Sequence, residues 1–436
     1  MGESSAFKTE AALAEHLPPL SAQQALVESN RCLFCYDAPC TRACPTHIDV
    51  PAFIKKISTG NLHGSARTIF ESNLLGATCS RVCPVQELCE GACVLGADHE
   101  PIAIGRLQRF AMDYAYSKGP NYFAAGAPTG LAVAVVGAGP AGISCAGTLA
   151  RLGYQVCVFD KRPLAGGLST YGIISLREPI EIALAEIEMV KKLGVEFKTG
   201  VEAGHDVSLD ELKAKYQAVF ISGGLGATPT LGIPCEELIE DGLTFVEQSK
   251  LDAAGMKIGK NVLVIGAGNT AIDCATIAKR LGAESVTILY RRTRSEMTAY
   301  PHEYEFALAE GIQFRFLTQP VGVLPEGLEC VSMQLDAGSS PKRPVSVPVP
   351  GSNFVLPADQ VVKAIGQQKQ GLAALLKLKT TNGFIDVDGA YETSAAGFFA
   401  GGDCIRSKGS CSTVMAVQDG KMAAKAMHAK LSGRAV

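Results

Sequence analysis

Little in this chain points to a nucleic acid, a membrane or an exported compartment. Its 436 residues carry 40 Lys and Arg against 43 Asp and Glu, a formal net charge of −3. So even a balance leaves no broad electrostatic footprint for a polyanion. Apolar residues make up 47% of the chain but are dispersed, and no run is long and charge-free enough to span a bilayer. The opening MGESSAFKTE has no basic stretch followed by an apolar one. No secretory signal is therefore expected, and the cytoplasm is the expected compartment. Beyond residue 130 there is no Cys-x-x-Cys pair, which weighs against a disulfide-shuttling dithiol.

What the chain does have is sulfur at one end. Eight cysteines fall within the first 93 residues: Cys32, Cys35, Cys40 and Cys44-Pro45, then Cys79, Cys83-Pro84, Cys89 and Cys93. In a reducing compartment thiols are more often metal ligands or redox groups than disulfides. Thiolates are soft ligands, and four of them around iron and sulfide hold a cluster that carries one electron at a time. Zinc favours paired short spacings, which these are not. Cys44-Pro45 matches the end of the ferredoxin run, whose last cysteine serves the other cluster. Two 4Fe–4S clusters are the expectation, and zinc or disulfides the competing readings. The other seven cysteines (145, 157, 235, 274, 330, 404 and 411) read as small core residues, and His47 as a surface neighbour of the first cysteine loop.

Residues 1 to about 12 read as frayed. Ser21 and Gln24, with Leu20 ahead of them, predict a capping box and a helix ending near Cys32. Asp49 is expected to cap a second helix, with Pro51 in its first turn and Gly60 beyond its end. Residues 62–72 and 102–117 predict two more, the last with Leu107, Phe110, Ala111 and Tyr114 on one face. Gly119-Pro120 and GAPTG at 126–130 mark a linker. Two βαβ units follow, with strands at 131–136 and 155–159, then at 261–265 and 285–290. Short strands are expected within 312–350 and at 360–365 and 384–387, and a final helix from about 413 to 431. The stretch 186–192 reads as an amphipathic helix with a solvated charged face. The expected fold is multi-domain: an α-helical iron–sulfur domain over 1–120, then an α/β two-dinucleotide-binding, Rossmann-like flavoprotein fold. Its FAD domain would cover 128–243 and 352–436, interrupted by an NAD(P)-binding domain at 244–351.

Two glycine loops carry the nucleotide argument. Gly137, Gly139, Pro140, Ala141 and Gly142 lie between a strand and a helix. The first glycine makes the turn, the second admits a pyrophosphate, and the third lets helix pack on strand, with the phosphates at the positive end of the helix dipole. Asp160, 18 residues past Gly142, ends the next strand, where an acid binds a ribose hydroxyl. Gly166-Gly167-Leu168 follows closely and suits close backbone approach to a dinucleotide, which favours FAD. In the second loop, Gly266, Gly268, Asn269 and Thr270 again open a helix, and the next strand ends in Arg291-Arg292. Arginine can clamp a 2′-phosphate, so NADPH is favoured, while a solvated charge cluster and NADH stay open.

Near the end, Thr393-Ser394-x-x-Gly397-Phe398-Phe399-Ala400-Gly401-Gly402-Asp403 resembles the closing motif of two-dinucleotide flavoproteins. That likeness implies an Asp403 contact to the ribityl–phosphate part of FAD. With RCLFCYDAPCTRACPTHIDVPAFI, CSRVCPVQELCEGAC and IAIGRLQRF, residues 25 to 428 resemble the flavin and iron–sulfur module of dihydropyrimidine dehydrogenases, including their separate bacterial electron-input subunit. The same module occurs in glutamate synthase small subunits and related ferredoxin–NADPH oxidoreductases. The resemblance implies crossed ligation: Cys32, Cys35, Cys40 and Cys93 on one cluster, and Cys44, Cys83, Cys89 and Gln108 on the other, with Cys79 left over. Glutamate synthase subunits more typically carry an acid at the Gln108 position. By the same resemblance Val82, Arg177, Ala364 and Gly366 join the cofactor-binding candidates. It implies an NAD(P)H-dependent oxidoreductase that passes electrons through FAD and two clusters to an FMN- and iron–sulfur-containing catalytic subunit reducing uracil or thymine. The chain stops at 436, before such a catalytic half. Hydride transfer to flavin calls for no side-chain acid or base, so no catalytic residue is expected.

Overall fold

The computed structural model describes residues 11–119, 122–336, 344–369, 371–375, 377–406 and 411–433. Most of the expected frayed start, and Pro120 of the linker, lie outside the described residues. The chain divides into two compact units, one of residues 16–170, 177–225 and 369–436, the other of residues 1–15, 171–176 and 226–368.

The larger unit begins with the helices. Ser21 and Gln24 form the reciprocal capping box at the head of Ala22–Asn30, and Asp49 accepts the Ala52 amide at 3.1 Å to open Val50–Ser58. Gly60, at φ 76°, ends that helix. Leu62–Ser72 and Ile104–Ser117 follow as expected, the latter starting two residues late. Two short helices, Pro39–Ala43 and Gly76–Val82, have too few residues to show an apolar period, and each leads directly into a cysteine, Cys44 and Cys83. Phe53, Ile54, Ile69, Phe70, Leu107 and Met112 form the core between these helices.

The same unit contains a parallel five-stranded sheet in the order Phe398–Ala400, Ala218–Ile221, Ala132–Val136, Gln155–Asp160 and Glu196–Thr199. The helix Pro140–Arg151 packs on it, and Thr413–Ser432 packs against that helix, with Val414, Val417, Ala423, Ala424 and Met427 buried. Gly420 permits the approach, since a Cβ there would sit 2.0 Å from the Ala141 carbonyl.

The helix Ile180–Lys191 corrects the sequence reading of 186–192. Glu186 is 1% exposed and faces inward. Its Oε1 accepts the amides of Ala77 and Thr78 at 2.8 and 3.2 Å, so a carboxyl of the sheet domain closes the first turn of a cysteine-bearing helix. Glu178 lies beside it and accepts the Thr78 hydroxyl. Charge pattern alone placed Glu186 in water because its partners are about a hundred residues away in sequence.

In the smaller unit a second parallel sheet runs Glu240–Asp241, Gln360–Lys363, Asn261–Ile265, Ser285–Leu289 and Gln313–Arg315. The expected short strands of 312–350 are a longer antiparallel meander: Thr318–Leu324, Gly327–Asp336 and Val345–Pro357. The expected domain edges at 243/244 and 351/352 move to 225/226 and 368/369, because the strands Glu240–Asp241 and Gln360–Lys363 pair in this sheet and not in the first.

Burial pushes Glu186 up to about 8, Glu178 adds to the rise, and the Thr78 and Ala77 hydrogen bonds oppose it. A carboxyl raised in the folded state stabilises most when protonated, and that contribution fades as pH climbs from the ordinary glutamate range through about 8. Glu186→Gln keeps an acceptor for both amides and cannot ionise. Its thermal midpoint is expected to fall less than that of the parent as pH rises from the ordinary glutamate range to about 8. Parallel melting-versus-pH curves for the two proteins would contradict the buried acid.

Candidate functional site

The cysteines sort into two adjoining sets. The Cys32 thiol has Cys35 and Cys93 as electrostatic neighbours, and Cys40 has Cys32 and Cys93. Cys83 has Cys79, Cys89 and Cys44, while Cys89 has Cys44 and Cys40. Cys93 has thus moved to the partners of the first sequence run, and Cys44 to those of the second. Burial pushes the Cys32, Cys40 and Cys89 thiols up, Cys40 to about 11, and neighbouring sulfurs add to it. For Cys83 the hydrogen bond with Cys79 acts first and burial second. Such thiols bind iron as thiolates, releasing their protons to solvent. Among the described residues no three His, Cys, Asp or Glu side chains converge as a single-ion site needs. In a four-iron cluster each thiolate holds a different iron, so its ligands stand further apart. Soft donors in two groups, Cys32, Cys35, Cys40 and Cys93, and Cys44, Cys79, Cys83 and Cys89, fit 4Fe–4S clusters.

Gln108, 8% exposed, donates its Nε2 to the Gly76 carbonyl at 2.8 Å. That bond fixes the amide plane and turns the carbonyl oxygen, the one atom a glutamine offers a metal, away from Gly76. Cys79, 2% exposed, stands against Cys83, closer to the second set than a leftover residue needs to be. Val82 is half-buried on the same short helix.

The first glycine loop is built for backbone approach. Gly137 has φ 102°, and a Cβ there would meet the Ser222 carbonyl at 2.4 Å. A Cβ on Gly142 would lie 1.9 Å from the Gly137 carbonyl. Gly139 precedes the helix Pro140–Arg151, with Ala141 in its first turn. Across from it a Cβ on Gly167, at φ 56°, would stand 2.8 Å from the Gly139 Cα. Two bare backbones therefore face each other at a helix N-terminus, a cradle fitting the diphosphate of FAD. Leu168 is 41% exposed and Arg177 half-buried. Asp160 departs from expectation. Its Oδ2 accepts the Ala138 amide at 2.7 Å and its Oδ1 the Arg162 amide at 2.8 Å. It braces the loop, and only its remaining lone pairs can meet a ribose.

At the carboxyl end of the same sheet, Gly402 takes φ 81° beside Ala141, and its amide donates to Asp419 Oδ2 at 3.0 Å. Asp419 is 1% exposed, pairs with Arg406 and accepts the Tyr391 hydroxyl at 3.2 Å. Burial pushes Asp403 up, and Arg406 opposes the rise. Sequence reasoning missed Asp419. The available signal was Gly420 beside it, a glycine inside a helix, which marks close packing.

In the smaller unit Gly266, at φ 131°, approaches the Ala364 carbonyl, which a Cβ would meet at 2.1 Å. Gly268 precedes the helix Asn269–Arg280, which Thr270 continues. Gly366 takes φ 97°, and with Ala364 lies in this unit and not with the first sheet, as the expected domain division had it. The segment 295–300 folds onto the loop: Thr298 and Ala299 donate to the Ala267 carbonyl at 3.2 and 3.1 Å, and the Tyr300 amide to Asn269 Oδ1 at 3.2 Å. The arginine pair is split. Arg291 is exposed, whereas Arg292 donates Nε to the Pro344 carbonyl at 3.2 Å.

Iron analysis and low-temperature EPR of anaerobically purified variants test the two sets. Cys93→Ser and Cys44→Ser are each expected to lose a different cluster signal and about four of roughly eight iron atoms. Cys79→Ala is expected to keep both signals and Gln108→Ala to alter one. The reverse result would make Cys79 the fourth ligand.

A model described as dihydropyrimidine dehydrogenase domain II, 4Fe–4S cluster, matches residues 9–120, and one described as pyridine nucleotide-disulphide oxidoreductase matches residues 131–420. The NAD-dependent dihydropyrimidine dehydrogenase subunit PreT of Escherichia coli is 34% identical over 97% of this chain and 98% of its own. The Escherichia coli glutamate synthase [NADPH] small chain is 34% identical over 93% of this chain and 91% of its own. The NADP(+)-dependent formate dehydrogenase subunit beta of Moorella thermoacetica is 38% identical over 89% of this chain, which spans only 59% of that relative. The solved thioredoxin reductase of T. acidophilum shares the fold, at TM-score 0.54 and 22% identity over 69% of this chain and 98% of that one. FAD, NAD(P)H and 4Fe–4S clusters are the cofactors of this assembly. The chain belongs to the pyridine nucleotide-disulphide oxidoreductase family, in a form that carries a helical 4Fe–4S domain, and is an NAD(P)H-dependent oxidoreductase with an electron-input role.

Proposed function

We propose that this chain is the cytoplasmic electron-input subunit of a dihydropyrimidine dehydrogenase. In this reading an FMN- and iron–sulfur-containing partner, in a hetero-oligomer with this chain, reduces uracil or thymine to the 5,6-dihydro form, reversibly. No helix among the described residues is long and apolar enough to cross a membrane.

When bound, FAD supplies the exchange between a hydride and single electrons, and the clusters supply one-electron carriage. Each NAD(P)H oxidised yields two electrons and one proton. The chain's own residues do positioning. The Gly137–Gly142 turn and the helix behind it offer amides to a diphosphate. Asp419 keeps the Gly402 turn in its left-handed conformation, and Gly266 and Gly268 open the corresponding site of the other unit. No side chain is required to move a proton.

The observation that carries the pyrimidine reading is Gln108. A neutral amide, buried and held by Gly76, stands where the glutamate synthase type more typically has an acid. A neutral fourth ligand leaves less negative charge on its cluster and shifts the potential. The competing reading is a glutamate synthase small subunit, favoured by the equal 34% identity to that relative. Reconstitution with each type of large subunit decides between them. Uracil reduction supports the proposal, and glutamate formation without uracil reduction overturns it.

For the nicotinamide, the exposure of Arg291 at the end of its strand supports a contact to a 2′-phosphate. Arg291→Ala is expected to raise KM for NADPH roughly tenfold, the loss of one charge-assisted contact, while leaving KM for NADH nearly unchanged. Equal effects on both nucleotides would assign Arg291 to a part that both share, and no effect on either would make it a solvated charge.

A further inference from the structure

One half-buried cation has no part in the chemistry described so far. Lys421 lies on the helix Thr413–Ser432, and its Nζ donates to the Thr46 carbonyl at 2.9 Å and to the Ser72 carbonyl at 2.8 Å. Both acceptors belong to the cysteine domain. Thr46 is 1% exposed, and its hydroxyl lies 3.3 Å from the Cys44 sulfur. The Ser72 hydroxyl reaches back to the His47 carbonyl at 3.3 Å, so Lys421 and Ser72 together close the loop after Cys44.

The other side of the same helix turn holds the flavin motif. Asp419 accepts the Gly402 amide at 3.0 Å and pairs with Arg406. Residues two apart on a helix point about 200° away from each other. The helix is therefore clamped to the Gly402-Asp403 turn on one side and to the Cys44 loop on the other, through two charged side chains of opposite sign. Carbonyl acceptors do not neutralise a lysine; partial burial, and Lys425 after it, pull Lys421 down to about 8, which leaves it charged at neutral pH. In this half-buried setting that charge is only partly screened.

We propose that Lys421 is a positioning residue for electron passage from the flavin to the cluster that Cys44 ligates, fixing the cysteine loop against the flavin-motif helix and placing a positive charge beside that cluster. The proposal rests on the assignment of Cys44 to a cluster. The step is one electron leaving reduced flavin and one iron–sulfur centre gaining it, with the flavin's proton passing to solvent. A neighbouring cation favours the more negative, reduced form and so raises the potential.

Lys421→Gln removes the charge and keeps a donor amide one atom nearer the helix, and Lys421→Arg restores the charge. Full-length holoprotein of each is titrated by EPR-monitored potentiometry and mixed with NAD(P)H in an anaerobic stopped-flow instrument. In Lys421→Gln the midpoint of one of the two cluster signals is expected to move to lower potential. Cluster reduction is expected to slow roughly tenfold or more, while flavin bleaching keeps its rate. Lys421→Arg is expected to recover most of both. Loss of only the Cys44-dependent signal in Lys421→Gln would also support the role. Unchanged potentials and cluster-reduction rate would overturn it, as would loss of flavin and both clusters together, which is the mark of a general structural role. Cys44→Ser separates the premises: if both signals survive in it, the cluster assignment has failed and not the lysine.

Discussion

A buried carboxyl, Glu186, joins the two halves of the electron-handling unit. It comes from a helix of the flavin-type domain and takes the first amides of the Gly76–Val82 helix, whose next residue is Cys83. Electron transfer between bound centres depends on their separation, and separation here is a matter of how cysteine loops are held against a sheet domain. The contact is buried, and the group that makes it resists ionising there. Glu178 and Thr78 complete it. Beside it an apolar stretch of the seam has Leu74, Leu75 and Cys79 in one core with Val133, Leu149 and Phe220, and Lys421 crosses to the Thr46 and Ser72 carbonyls.

The nucleotide sites obey a different constraint, the absence of side chains. Gly137, Gly142 and Gly266 stand where an added Cβ would lie 1.9 to 2.4 Å from a backbone atom. These positions cannot drift to alanine without moving a strand or a helix. The polar residues nearby mostly brace the backbone. Asp160 holds Ala138, and Asp419 holds Gly402. A cradle of this kind is rigid before any cofactor arrives, so binding energy is not consumed in ordering it.

Such a chassis carries no information about the final electron acceptor. Relatives named for pyrimidine, glutamate and formate chemistry share about a third or more of the sequence with this chain. In the proposed reading, the choice among them is local: the amide of Gln108 and the exposed cation of Arg291 after a strand. Gln108 and Arg291 are therefore the residues on which the functional reading turns.

The sequence by itself determined the local things. Capping residues placed the helices at Ala22–Asn30 and Val50–Ser58, and glycine spacing placed both strand–turn–helix units, because caps and turns are set by neighbours a few residues apart. Cysteine spacing told of iron. Only the tertiary structure decided what depends on distant partners. It turned Glu186 inward, gave Lys421 its carbonyl acceptors, put Asp160 to work on the glycine loop, and drew the strand Gln360–Lys363 into the second sheet. The physical reason is the same in each case. A charged side chain or a short apolar strand has several satisfactory environments, and only packing against residues from 22 to several hundred positions away selects among them.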